Sequence, residues 1–271
     1  MILCPLPRTL RRALAIAVAG APVLAGHARA DTISITSDIP AYGYDTVYLN
    51  ATNLVFPPPF GSSSGGVSSV QMYTGADLIG GTNVTAGNTL FSAIVFCTEP
   101  ATYLIAPPYS FTAGTLDDIV PDATRQTQVA ALIGNGTQLL RGGNDTIGGT
   151  TYSSTEVSSA LQIAVWTAEY QTPSSNGAYD AGSPTTAGGA SSDFWASDPS
   201  DPVDVMLANL FLGFVTTGTW VVQGPIGLLE ALDPPVNQAL AYADPVPEPT
   251  ALALVATGLL ALMAARRRRP A

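Results

Sequence analysis

The amino-acid sequence predicts an α+β fold: β-sandwich- or barrel-like strands with two or three helices packed on or inserted into them, and a single transmembrane helix at the C-terminal end. Three observations carry this expectation. Alternating apolar and polar residues, as in Thr32-Ile33-Ser34-Ile35-Thr36, mark strands on either side of a central region. That region holds runs with helical periodicity, the clearest from Ser153 to Tyr170. Glycine and proline are abundant, 26 and 22 of 271 residues, and supply many turns between these segments.

The first residues include Arg8, Arg11 and Arg12, then the apolar stretch Ala13 to Ala25 and the A-x-A sequence Ala28-Arg29-Ala30. This is the order of a secretory signal peptide, residues 1–30, with cleavage after Ala30. An exported domain, residues 31–245, then begins at Asp31. Cys4 leaves with the leader, and no cysteine stands at the cleavage site after the apolar stretch, so a lipoprotein is excluded.

Asp31 to Val55 reads as strands, and Phe56 to Ser69, with three prolines and then Gly and Ser, as a loop. Val70 to Tyr73 and Leu90 to Phe96 read as strands; the second is apolar enough for burial and ends on Cys97, before a turn at Glu99-Pro100. Asp122 caps a helix with an apolar face of Val129, Leu132 and Ile133, stopped by Gly134-Asn135-Gly136. Ser153 and Glu156 have capping-box spacing at the start of the next helix. Val157, Ala160, Leu161, Ala164, Val165 and Ala168 form its broad apolar face, and Gln162 lies just off it. Thr172 to Ser192, poor in large apolar residues, predicts a mobile loop. Val203 to Phe214 predicts a third helix, capped by Asp201 or Asp204, and Trp220 to Gln223 and Asn237 to Ala243 predict strands.

Charge narrows the function. All 20 acidic residues lie between Asp31 and Glu248, whereas of the ten basic residues only Arg125 and Arg141 fall inside the exported domain. So acidic a domain repels nucleic acid and anionic headgroups. The chain has no lysine, and its one histidine, His27, sits in the leader. Such a domain cannot build a Ser-His-Asp triad, a Cys-His pair, a His-ligated zinc site, a Walker loop or a Schiff base. A non-enzymatic protein without cofactor or resident metal is the expectation. Carboxylates remain: Glu99, Glu156, Glu169 and Glu230 are the candidates for a glycosidase pair, although nothing in the sequence brings two together. Asp198, Asp201 and Asp204 are spaced by three but lack the ligand order and glycine of an EF-hand.

The tail is the most specific signal. Val246-Pro247-Glu248-Pro249 precedes an uncharged, Ala- and Leu-rich run from Thr250 to Ala265 and then Arg266 to Arg269. As a helix the 16 uncharged residues span about 24 Å, which flanking arginines extend toward a hydrocarbon core of about 30 Å. The arginines keep to the cytoplasm and the domain lies outside. Residues 246–271 resemble the PEP-CTERM sorting tail of Gram-negative bacteria. The resemblance implies transient insertion in the inner membrane, processing by the membrane transpeptidase exosortase at the motif, and delivery to the cell surface or outside, in organisms that make exopolysaccharide and biofilm. A permanent C-terminal anchor is the alternative.

Cys97 is the lone cysteine of the exported domain and has no partner for an internal disulfide. A small buried hydrophobe is its commonest fate. Gln162, set among apolar residues, needs a hydrogen-bonding partner, which a nearby loop or Cys97 can supply. Phe96-Cys97-Thr98-Glu99 followed by Leu161-Gln162-Ile163-Ala164-Val165-Trp166 resembles the paired motifs of bacterial thioester domains, with Glu99 where that family has Asp. The resemblance implies an internal thioester, with Cys97 the sulfur donor, Gln162 the acyl donor, and Phe96, Glu99 and Trp166 around them. It also implies an adhesin-like module that couples to amines of a surface partner. Forming the bond asks for help in ionising Cys97, which the Gln162 helix or backbone N–H groups would have to give. Val129 to Gly136 and Asn237-Gln238-Ala239-Leu240 also resemble related PEP-CTERM proteins. The alternative is a noncovalent structural protein of the exopolysaccharide matrix with Cys97 simply packed.

Overall fold

A computed structural model of the chain describes residues 32–52, 61–64, 67–100, 109–143, 145–184, 194–198, 202–232 and 238–243. The leader with Ala28 and Ala30, the tail with Val246-Pro247-Glu248-Pro249, and Asp201 lie outside them. The strands are β1 (Thr32–Ile39), β2 (Asp45–Ala51), β3 (Gly61–Ser64), β4 (Val67–Thr74), β5 (Asp77–Asn83), β6 (Thr89–Cys97), β7 (Tyr109–Gly114), β8 (Thr146–Ile147), β9 (Thr150–Thr151), β10 (Phe194–Ser197), β11 (Ile226–Ala231) and β12 (Leu240–Ala243). The helices are α1 (Ala123–Gly142), α2 (Ser154–Tyr170) and α3 (Val203–Thr216). The architecture is α+β, with a closed barrel in the order β1-β5-β6-β12-β11-β7 and a second sheet in the order β10-β2-β4-β3.

Antiparallel register decides which side chains fill the barrel. Ile33 pairs with Phe111, Ile79 with Ala93, Asp77 with Val95, and Cys97 with Leu240. On β1 the residues alternating with Ile33 and Ile35 are partly or fully exposed, so the Ile33 face points inward. A bulge between Ile35 and Ser37 shifts the register and sets Asp38 opposite Ile79, on the same inward face. Strand contact at the bulge is so close that a Cβ on Gly81 would meet the Ser34 carbonyl oxygen at 2.0 Å. Only glycine fits there. That requirement is why Asp77–Asn83, with Gly80-Gly81 in its middle, did not read as a strand in the sequence.

Phe96 and Ile94 point to the outer face of β6, which is also buried. The helices cover that side. α2 packs between α1 and α3, and it also contacts β2, β4 and β10 of the second sheet. It is therefore buried almost all round rather than amphipathic. Behind the predicted apolar face lies a polar row. Ser158 Oγ accepts from the Ala76 N–H at 2.8 Å, and Ser159 Oγ meets Thr74 Oγ1 at 2.6 Å. These bonds pin α2 to the link between β4 and β5, where the chain passes from one sheet to the other. The capping box of Ser153 and Glu156 is present at its start. At its end Arg125 donates to the carbonyls of Ala168 and Glu169, a cation closing the negative end of the helix.

Four sequence expectations are corrected. Gly134-Asn135-Gly136 does not stop α1, which runs on to Gly142 and ends at Gly143 in the left-handed region. Both glycines serve packing: a Cβ on Gly136 would lie 2.9 Å from Leu161 Cδ2, and one on Gly134 3.2 Å from Gln223 Cβ. Trp220 to Gln223 is not a strand, because Trp220 stacks on Phe211 at 5.1 Å; β11 begins three residues after Gln223, at Ile226. The expected loop from Phe56 to Ser69 contains β3 and the first residues of β4. Among the described residues α3 takes no side-chain cap: Pro202 holds the cap position and Asp204 is buried in the first turn, while Asp201, the other expected cap, lies outside them. The described part of the expected mobile loop, residues 172–184, is irregular but tied down. Gln171 Nε2 donates to the carbonyls of Asp180 and Phe194 at 2.7 and 2.9 Å.

Candidate functional site

The strand ends where barrel and second sheet meet surround a cavity of about 650 Å³. Asp38, Tyr44, Asp77, Cys97, Gln162 and Trp166 line it, and Gln238 stands beside Cys97. Each arrives by a short link. Asp38 is the last but one residue of β1, Tyr44 precedes β2, Asp77 opens β5, Cys97 closes β6 and Gln238 precedes β12.

Gln162 is buried, and its carboxamide sits on the backbone of Cys97. The Cys97 N–H donates to Oε1 at 2.9 Å, and Nε2 donates to the Cys97 carbonyl at 2.8 Å. The reason lies in the sheet. β5 begins with Asp77 opposite Val95, two residues short of Cys97. Among the described residues Cys97 has no strand neighbour on that side, and the glutamine carboxamide fills the gap in the ladder. On the other side the Thr98 N–H donates to the Ala239 carbonyl at 3.0 Å.

Electrostatics keep the sulfur protonated. Burial pushes the Cys97 thiol well up, the charges of Asp77 and Asp38 push it further, and a hydrogen bond with Gln238 opposes them. The expected help in ionising Cys97 is thus outweighed by desolvation and two carboxylates. Asp77 is itself pushed up to about 7, by burial first, with the Asp38 charge adding and the bond from the Tyr44 hydroxyl opposing. Asp38 is also raised, by burial, against a hydrogen bond from Tyr109. Its Oδ1 and the Trp166 Nε1 are shielded from solvent and meet no partner among the described residues.

The remaining sequence candidates have other placements. Phe96 is buried on the far face of β6 from Cys97. Glu99 accepts from the Ala239 N–H at 3.1 Å, fixing the chain as it enters β12. Glu156 is occupied by its capping box. Glu169 is buried and pushed well up, by desolvation and then by the Glu99 charge, with Arg125 opposing. Among the described residues no group of three or more His, Cys, Asp or Glu is arranged to hold a metal. Asp38, Tyr44 and Asp77 escaped sequence reading altogether, since only barrel closure brings them to Cys97. Gln238 lies in the segment Asn237 to Leu240 whose resemblance to PEP-CTERM proteins was the one available signal.

Comparison with known proteins bears on the tail. Residues 245–269 match the PEP-CTERM protein-sorting motif. The chain carries a PEP-CTERM sorting signal. A protein with this motif is sorted by the exosortase system, which implies export toward the cell surface. No curated protein and no solved structure matches the chain. The comparisons lend no support to the likeness between the middle region and thioester domains, so that reading stands on Cys97, Gln162 and their surroundings. Among the described residues no helix is long and apolar enough to cross a membrane; Thr250 to Ala265 lies outside them.

Proposed function

We propose that this PEP-CTERM protein is a covalent coupling module of the cell surface or extracellular matrix, with an internal thioester between Cys97 and Gln162. In the forming step Cys97 Sγ attacks Gln162 Cδ. The Cδ–Nε2 bond breaks, and ammonia leaves carrying the thiol proton. A partner's amine then attacks the thioester carbonyl, forms an amide with Gln162 and returns the thiol to Cys97.

The observation that carries this reading is the two-point seating of the Gln162 carboxamide on Cys97, at the wall of a cavity. The Cys97 N–H already points at Oε1, the oxygen on which negative charge develops during attack. Absence of lysine leaves the exported domain no side-chain amine with which to consume its own acyl group. Each molecule reacts once, so the protein is not an enzyme. On this reading residues 250–265 insert transiently in the inner membrane and exosortase acts at the Pro-Glu-Pro motif. The partner is an amine-bearing surface or the exopolysaccharide matrix.

A second reading is a noncovalent matrix protein. It is favoured by the way Gln162 completes the ladder where β5 stops, and by a thiol held neutral. Methylamine separates the two. The covalent reading expects methylamine on Gln162, located by peptide mass, and none in Cys97→Ala. A wild-type protein that takes up no methylamine leaves only the noncovalent reading.

A further inference from the structure

Beside Cys97 and Gln162 the cavity wall carries the Asp77 carboxylate. We propose that Asp77 is the proton carrier of the site, taking the proton of the Cys97 thiol and handing it to the departing ammonia. This rests on the thioester reading.

Geometry places Asp77 for the task. It pairs with Val95, so its side chain and that of Cys97, two residues on, share the inward face of the barrel at diagonal positions. Both line the same cavity as Gln162. Tyr44, from the link between β1 and β2, donates its hydroxyl to Oδ1 of Asp77 and fixes the carboxylate. Gly75 permits that arrangement, since a Cβ there would lie 2.7 Å from Tyr44 Cδ1. Among the described residues the titratable groups facing Asp77 are Tyr44, Asp38, Cys97 and, through Asp38, Tyr109. None is basic, so no side-chain cation stabilises a free thiolate, and the thiol must lose its proton to a base as the bond forms. A base that also has to give the proton back works best near neutrality, and Asp77 is held at about 7.

The steps balance without a further reactant. Sγ–H gives its proton to a carboxylate oxygen of Asp77 as S–Cδ forms. Asp77 returns it to Nε2 as Cδ–Nε2 breaks, and NH₃ leaves. In coupling, the attacking amine loses its proton to Asp77, which delivers it to the sulfur as the thioester opens.

The test follows coupling with methoxyamine, whose low basicity leaves it uncharged around neutral pH, so the profile there reports the protein. The rate is expected to rise with pH through about 7 in the wild type. In Asp77→Asn, which keeps the shape and a partner for Tyr44, the rise should vanish and the rate at pH 8 should fall on the order of 10²-fold. Asp77→Asn protein that has not lost ammonia, while melting as the wild type does, supports the proposal equally. Tyr44→Phe removes a bond that holds Asp77 down, so the midpoint should move upward, a change that a packing role alone would not produce. A thioester that forms and couples in Asp77→Asn with the wild-type profile overturns the role of Asp77 and leaves the thioester intact. Wild-type protein that retains its ammonia overturns both.

Discussion

Removing the Gln162 side chain strikes the joint between α2 and the barrel. Measured against wild-type protein that still carries the Gln162 carboxamide, before ammonia is lost, Gln162→Ala leaves the Cys97 N–H and carbonyl without their partners at 2.9 and 2.8 Å while both stay buried. A buried backbone group left unsatisfied costs about 1–3 kcal/mol, so two cost roughly 2–6 kcal/mol. That is a large share of the 5–15 kcal/mol by which a domain is ordinarily stable. Gln162→Leu separates this cost from lost volume, because it refills the space and still leaves both groups unpaired. Gln162→Leu should be destabilised by about 4 kcal/mol in urea or guanidinium unfolding of the exported domain, and Gln162→Ala by at least as much. Cys97→Ala, which leaves those backbone bonds in place, should cost well under half as much. If Gln162→Leu unfolds within about 1 kcal/mol of wild type, the carboxamide is not what completes the ladder at Cys97.

Three further outcomes follow from packing and charge. Gly81→Ala should prevent the close pairing of β1 with β5, because the new Cβ meets backbone at 2.0 Å; loss of the folded exported domain, seen by circular dichroism, is expected. Gly136→Ala forces Leu161 at the α1–α2 contact to move and should cost about 1–3 kcal/mol in denaturant unfolding. Asp77 binds its proton more tightly folded, at about 7, than at its ordinary 3.8. Its contribution is therefore full below about pH 4 and is lost as pH rises through 7, so the domain should unfold at higher denaturant at pH 4.5 than at pH 8. Glu169 and Asp38 act in the same direction, and Asp77→Asn should flatten the dependence.

How much of this was legible in the sequence depended on whether the determinant was local. Ser153 and Glu156 are three residues apart and fix the start of α2 by themselves. Asp122 does the same for α1. Glycine misled because its local meaning, a stop, differs from its use here as clearance: Gly136 beneath Leu161, and Gly81 against the Ser34 carbonyl. Trp220-Val221-Val222 has strand composition, but the ring is captured by Phe211 and Phe214, contacts set by the fold of α3. At the site, Cys97 and Gln162 could be paired from their motifs. Their carboxylate neighbours could not, since Asp38 and Asp77 meet Cys97 only through the β1 bulge and the register of β5 on β6. The polar row of α2 was likewise hidden, because Ser158 and Ser159 look like a solvent face until the β4–β5 link is laid against them.

The most direct measurement is the intact mass of the exported domain, purified without amines and kept at neutral pH. The covalent account predicts a mass one ammonia below that of the processed sequence, and the full mass in Cys97→Ser. A wild-type domain at full mass, folded and with its thiol free, would contradict it.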